Sequence, residues 1–199
     1  MSVDHAPAPK PPEPKFTYAD YVDWPDDERW EIIRGKPYAM SPAPRRVHQD
    51  LLLELSAQLA TQLRGKECRP YVAPFDVRFP EPLEELDKSS TVVQPDVTIF
   101  CDRGKLDERG AVGAPTFIAE ILSPSTRRKD RSEKLDLYEA HGVQEYWIVD
   151  PELRSVEVWL LDEQGKYGEP ELLAPEGTKE LTSVPDVAID LATLFAAID

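Results

Sequence analysis

Val47, Leu51, Leu55, Leu59 and Leu63 recur every four positions in "PRRVHQDLLLELSAQLATQLRG". That spacing keeps all five on one helical face, and Gly65 follows where a helix C-terminal cap is expected. Elsewhere the apolar runs are short and suit strands. "TYADYVDWP" reads as a short helix capped by Thr17 and stopped by Pro25. "RWEIIRGKPYAMSP" reads as a hairpin turning at Arg34-Gly35. "CRPYVAPFDVRF" and "TVVQPDVTIFC" each read as a strand, on either side of the acidic loop "PEPLEELDKSS". "DRGKLDERGAVG" is expected to be loop with room for one helical turn, and "TFIAEIL" a buried strand. "RKDRSEKLDLYEAHG" follows as one helix that turns Leu135, Leu137 and Tyr138 inward, with Gly142 just past its end. "VQEYWIVD" and "SVEVWLL" are strands joined by "PELR"; a hairpin candidate spans Asp162 to Pro175. "LTSVPDVAID" is extended, and a short helix through Phe195 closes the chain.

This order implies an α/β fold with a mixed central β-sheet flanked by helices. The strand, helix and strand from residue 116 to 149 should form a parallel pair with a right-handed crossover. Residues 1–15 read as a disordered, proline-rich leader, and residues 16–199 as a single domain without internal repeat. A chain of 199 residues is long enough to bury roughly 70% of the surface its unfolded form exposes.

Composition narrows the setting. No apolar run reaches the length of a membrane span, and the first residues lack the apolar core of a secretion signal, so a cytoplasmic location is expected. Cys68 and Cys101 form neither a disulfide framework nor a zinc motif; both are expected to be reduced, partly buried residues at strand ends. With 23 basic and 38 acidic residues the formal charge is −15, which repels nucleic acid globally and leaves room only for local contacts. Such contacts have candidates in "RRKDRSEK", which carries Arg127, Arg128, Lys129, Arg131 and Lys134, and in the pair Arg45 and Arg46. An ordinary solvated helix start explains the same residues equally well.

Three carboxylates interrupt or open apolar strands: Glu31 in "RWEIIRG", Asp96 in "VVQPDVTIF" and Glu120 in "FIAEIL". A lone carboxylate in such a strand is costly to desolvate, so it needs either a cation partner or a metal ion. Magnesium takes oxygen ligands at about 2.0–2.1 Å, and acids on neighbouring strands about 4.8 Å apart can converge on one ion. Two positions beyond Glu120, on the same face, stands Leu122 rather than a lysine. The next ammonium is Lys134 on the following helix, with Tyr138 one turn further on the same face. Asp76, in "PFDVRF", reads more simply as the polar face of an edge strand.

"QPDVTIF", "AEILSPS" and "DRSEKLDLYEAHGVQEYWIVDP", together with "WEIIRGKPYAMSPAPRRVH" before them, resemble the Uma-type restriction endonuclease family. That family lies within the nucleases built on a P-D…(D/E)-x-K core, and the resemblance runs from about Tyr18 to Phe195. It implies a restriction-endonuclease-like core and a phosphodiesterase dependent on Mg²⁺, with Mn²⁺ as a substitute. Asp96 matches the aspartate of P-D and Glu120 the acid of (D/E)-x-K; these two would hold the metal. Lys134 would replace the lysine missing at Leu122, and Glu31 would complete the catalytic set. His48, Arg127, Arg128 and Tyr138 are candidates for substrate binding. The implied substrate is DNA, most naturally duplex, and cutting both strands would suit a symmetric homodimer.

Two other functions fit the same residues. The departure at Leu122 and the negative charge suit a catalytically inactive descendant that keeps the scaffold as a binding module. A metal-free hydrolase using two carboxylates, such as a glycosidase, is a third class, against which Lys134 and the P-D pair weigh.

Overall fold

Two proline-containing runs decide the architecture. In the computed structural model, which describes residues 15–25, 28–40, 44–82 and 84–199, each of them divides into two strands that belong to different sheets. The first becomes β3 (Arg69–Val72) and β4 (Val77–Arg78), separated at Pro74. The second becomes β5 (Val92–Val93) and β6 (Val97–Phe100), separated at Pro95. Proline has no N–H to give a ladder, and at Pro74 and Pro95 pairing within one sheet ends and pairing within the other begins. The expected single central sheet is therefore two sheets meeting at these switches.

The other strands are β1 (Trp30–Ile33), β2 (Lys36–Ala39), β7 (Leu106–Asp107), β8 (Gly110–Val112), β9 (Phe117–Ile121) and β10 (Glu145–Asp150). After them come β11 (Ser155–Leu160), β12 (Glu171–Leu173), β13 (Thr178–Glu180) and β14 (Ala188–Asp190). One six-stranded sheet runs β12-β11-β10-β9-β6-β3, the second β2-β1-β5-β4-β8-β7, and β13 pairs with β14 alone. The first sheet is mixed: β9 and β10 are parallel, as expected, while β6 and β11 run antiparallel to them. The β1–β2 hairpin turns at Arg34 and Gly35, both with positive φ, the pairing a tight two-residue hairpin turn requires. The hairpin of β7 and β8 replaces what the sequence presents as loop.

The α-helices among the described residues are α1 (Tyr18–Tyr21), α2 (Arg46–Leu63), α3 (Arg127–Asp130), α4 (Glu133–His141) and α5 (Leu191–Ala196). Leu51, Leu55, Leu59 and Leu63 of α2 bury against Val97, Ile99, Phe117, Ala119, Ile121, Trp147 and Val149 of the first sheet. At about 1.5–3 kcal/mol for each large apolar side chain buried, this face is a main anchor of the helix. The opposite face of that sheet, with Phe100, Ile118, Tyr146 and Ile148, packs on Leu137 and Tyr138 of α4 and on Val77, Val93 and Ala111 of the second sheet. The helix expected from Arg128 onward is broken at Ser132, whose backbone leaves the helical region and whose hydroxyl donates to the Arg128 carbonyl at 2.6 Å. Gly142 caps α4 in the left-handed conformation.

The cysteines are a correction. Cys68 and Cys101 are joined in a disulfide, not free thiols. The reason is register: Arg69 pairs with Phe100 across β3 and β6, so the residue before one faces the residue after the other. The support that reduced thiols would lend to a cytoplasmic location falls away with them. Among the described residues no helix is long and apolar enough to cross a membrane. Residues 1–14 of the expected leader lie outside the described residues.

Candidate active site

Glu120 lies within β9, where all five residues are buried. Its neighbours Ala119 and Ile121 face α2, while Ile118 and Leu122 face α4. Strand alternation puts Glu120 on the α4 side with the latter pair. Leu122, where the nuclease pattern has lysine, is embedded in that second core. The β6–β9 ladder pairs Ile99 with Phe117, Thr98 with Ile118 and Val97 with Ala119. Continued one step, the same register sets Asp96 opposite Glu120. Asp96 thus sits at the switch between sheets, beside the acid in the centre of the first.

The ammonium arrives from α4. Lys134 Nζ donates to Glu120 Oε1 at 2.7 Å and lies 2.8 Å from Glu31 Oε1. Glu31 comes from β1 of the second sheet, so this lysine bridges carboxylates from both sheets. Glu31 also accepts from the Gln94 backbone N–H at 3.1 Å and from Lys129 Nζ at 3.2 Å. Tyr138, one turn beyond Lys134, donates its hydroxyl to Glu120 Oε1 at 2.8 Å. All four of Glu31, Glu120, Lys134 and Tyr138 are buried. Groups of this kind are each costly to desolvate and hold together because they compensate one another.

A fourth acid, Asp130, was not evident in the sequence as a site residue. The last residue of α3, it is 1% exposed, and its Oδ1 is 3.9 Å from Lys134 Nζ with no hydrogen-bond partner. The signal available was its place four residues before Lys134, a separation that shares a helical face, but the surrounding basic residues make it look like a solvated charge. Lys129, the other lysine that reaches Glu31, was likewise hidden in the basic run.

Asp96 is held by its Oδ2, which accepts the Ile121 backbone N–H at 2.8 Å and lies 3.1 Å from His48 Nε2. His48 extends from the first turn of α2, and its Nδ1 is buried without a partner. Burial lowers the imidazole's proton affinity, but the Asp96 hydrogen bond and the charges of Asp96 and Asp130 more than offset this and raise it.

Electrostatics mark the cluster as acid-rich. Burial drives the Glu120 carboxyl upward; Lys134 pulls it down, and Asp130, Asp96 and Glu31 push it up again, to about 8. Asp130 is pushed up to about 6, mainly by burial. Glu31, also penalised by burial, ends below its ordinary value because Lys134 and Lys129 sit beside it. Three buried carboxylates, Glu31, Glu120 and Asp130, thus gather around Lys134, with Lys129 on Glu31 and the Asp96 charge nearby. Mg²⁺ and Mn²⁺ take hard oxygen donors, and Asp96 and Glu120, set opposite each other by the strand register, are the residues that could hold such an ion. Among the described residues, no three acidic, histidine or cysteine side chains are already gathered around one point as a finished metal cage.

The remaining predicted residues separate by position. Arg127 makes a two-pronged ion pair with buried Asp150, at 3.0 and 3.2 Å, and reaches Glu152 at 2.7 Å. Arg131 binds Asp150 and Glu157. Much of the basic run therefore ties α3 to β10 and β11. Arg128 is exposed. Asp76 lies off the cluster, accepting from Tyr21 and Gln94 in a groove also lined by Phe75 and Arg109. Gln94 links the two places, since its side chain holds Asp76 while its backbone holds Glu31.

Comparison with known proteins speaks to the family and the fold. A family model described as "Uma2: Putative restriction endonuclease" matches residues 18–192. Two uncharacterized proteins of Synechocystis sp. are similar. The protein slr1290 is 26% identical over 164 residues, covering 80% of this chain and 82% of its own. The protein sll1609 is 27% identical over 161 residues, covering 74% and 86%. A crystal structure titled as a putative nuclease belonging to DUF820, from Anabaena variabilis, superposes with a TM-score of 0.72 at 20% identity, covering 92% of this chain and 99% of that one. The match establishes a shared fold.

Proposed function

This chain belongs to the Uma2 family of restriction-endonuclease-like proteins, and from that premise we propose that it is a divalent-metal-dependent endonuclease hydrolysing phosphodiester bonds in DNA. The observation that carries the reading is the placement of Lys134. Its ammonium reaches Glu120 and Glu31 from a helix, in the absence of a lysine at position 122, while Asp96 stands opposite Glu120 in the strand register. A structural ion pair needs one acid for one lysine; here three acids, from strands and helix, gather around Lys134, and Lys129 adds only to Glu31.

Asp96 and Glu120 would hold Mg²⁺, or Mn²⁺ in its place, and that ion when bound supplies an activated water and neutralises charge on the scissile phosphate. The chain's own residues do the rest. Lys134 offers a positive charge to the phosphate or to the attacking water in a site where solvent is scarce and such charges count for more. Glu31, with Lys129 on its other oxygen, fixes the direction from which Lys134 approaches. His48 and the Ile121 amide share one oxygen of Asp96 and leave the other free of that duty. Tyr138 orients Glu120 from within the core. Arg128 is the residue of the basic run best exposed to meet a DNA phosphate, while Arg127 meets one only by sharing itself with Asp150 and Glu152.

The second reading, a binding module without catalysis, draws on one observation: Lys134 is already sealed between two carboxylates, so a cation must compete with it. Plasmid cleavage separates the two. Wild type, Asp96→Asn and Glu120→Gln are incubated with supercoiled DNA in Mg²⁺, Mn²⁺, Ca²⁺ or EDTA. Nicking or linearisation in Mg²⁺ or Mn²⁺, abolished by EDTA and reduced at least about 100-fold in both variants, is the expected result. Wild type that shifts DNA on a gel yet never cuts it would leave the binding module in its place.

A further inference from the structure

We propose that Asp130 is a positioning residue that receives the Lys134 ammonium when Glu120 turns to a bound cation. The inference rests on the metal-dependent reading above and assigns within it a residue that takes no part in holding the ion.

The geometry is specific. A lysine ammonium has three N–H donors, and Lys134 directs two of them to Glu31 Oε1 and Glu120 Oε1, at 2.8 and 2.7 Å. Asp130 Oδ1 is next to the same nitrogen, at 3.9 Å, beyond hydrogen-bond reach. It is buried and unpartnered. Nearby stand a donor with a spare N–H and an acceptor with a spare lone pair, separated by about 1 Å more than a hydrogen bond allows.

Glu120 Oε1 accepts two hydrogen bonds, from Lys134 and Tyr138. Were Glu120 to hold a cation together with Asp96, its contact with Lys134 would weaken, and an ammonium freed from one partner in a buried site needs another. Asp130 is that partner. Its place is fixed independently of its side chain, because the Asp130 carbonyl accepts the Tyr146 hydroxyl at 3.1 Å. Position 130 is also four residues before Lys134 and across the break at Ser132, so a small adjustment between α3 and α4 closes the gap. Without Asp130 the lysine stays on Glu120 and competes with the metal.

The experiment is a double-mutant cycle on Mn²⁺ affinity, read by electron paramagnetic resonance of free Mn²⁺ in wild type, Asp130→Asn, Lys134→Gln and the double variant. Asp96→Asn serves as the control for the metal site, and circular dichroism melting checks that each form is folded. The expected result is Mn²⁺ binding by wild type, its loss in Asp96→Asn, and about tenfold weaker binding in Asp130→Asn. In the Lys134→Gln background the Asp130 substitution should change nothing, because no ammonium remains to be relocated. Equal weakening in both backgrounds would make Asp130 a ligand or a purely structural acid and overturn the proposal, as would no weakening in either. Wild type that binds no Mn²⁺ would overturn the metal reading itself, a failure visible before any variant is compared. Should Lys134→Gln not fold, Lys134→Arg replaces it. Because an arginine keeps the charge, Lys134→Met is run beside it as the neutral background, where Asp130→Asn should again change nothing, and a weakening of about tenfold there would contradict the proposal.

Discussion

Lys134 carries more of the structure than any other charged side chain in the cluster. Its ammonium is the shared counter-ion of Glu31 and Glu120, both buried. Removing one member of such a group leaves the others charged and unpaired, which costs about 3–5 kcal/mol. Lys134→Ala should lower the unfolding free energy by about that amount in urea titration. Adding Glu31→Gln to the same chain should return part of the loss, since Glu31 is the acid held in its charged form and a neutral amide tolerates burial better than a carboxylate short of a partner. A Lys134→Ala protein as stable as wild type would show that the ammonium does not stand between these acids. The neighbouring Leu122 explains why the lysine comes from elsewhere. Its side chain fills space against Leu137 and Tyr138, and an ammonium there would be buried in the apolar layer.

At the level of elements, the parts of the chain with strong periodicity were legible and the runs divided by an internal proline were not. The four-residue rhythm of Leu51 through Leu63 has one reading, and α2 follows it. The alternation around Glu120 likewise marks a buried strand. Pro74 and Pro95 were visible in the sequence, but a proline inside an apolar run says only that the ladder is interrupted, not that the chain moves to another sheet. That movement is a property of long-range pairing: β4 and β5 find each other and then β1 and β8, none of which local pattern specifies. The same long-range step brings Glu31 to Lys134, and Cys68 to Cys101. The three strand acids, Glu31, Asp96 and Glu120, could be named because a carboxylate in an apolar run is conspicuous, and Lys134 because it is the next ammonium after Leu122. Asp130 escaped because its burial comes from the turn of α3 at Ser132, which makes an acid in a charged segment face inward.

Across the whole molecule, the excess of acid and the burial of part of it couple stability to pH. Glu120, at about 8 in the folded chain against an ordinary 4.5, and Asp130, at about 6 against 3.8, hold protons that the unfolded chain releases. Their stabilisation is complete at low pH and is lost as pH rises from about 4 to 8. His48, raised by Asp96, acts in the same direction, its contribution disappearing as pH climbs through its folded value. Glu31 works on the acid side only, since its lowered value matters below its ordinary 4.5. The melting temperature of the metal-free protein should therefore fall between pH 5 and 8, and Mg²⁺ should restore it most at pH 8, where the ion no longer displaces protons. A melting temperature that is flat or rises over this range, with no response to Mg²⁺, would contradict this picture of the cluster. The most direct measurement is a crystal of the protein soaked in Mn²⁺, with anomalous scattering collected at the manganese edge. The expected result is one strong peak within coordination distance of both Asp96 and Glu120 carboxylates. Peaks confined to the acidic surface, with Lys134 still closed on Glu120 and nothing between the two acids, would contradict it.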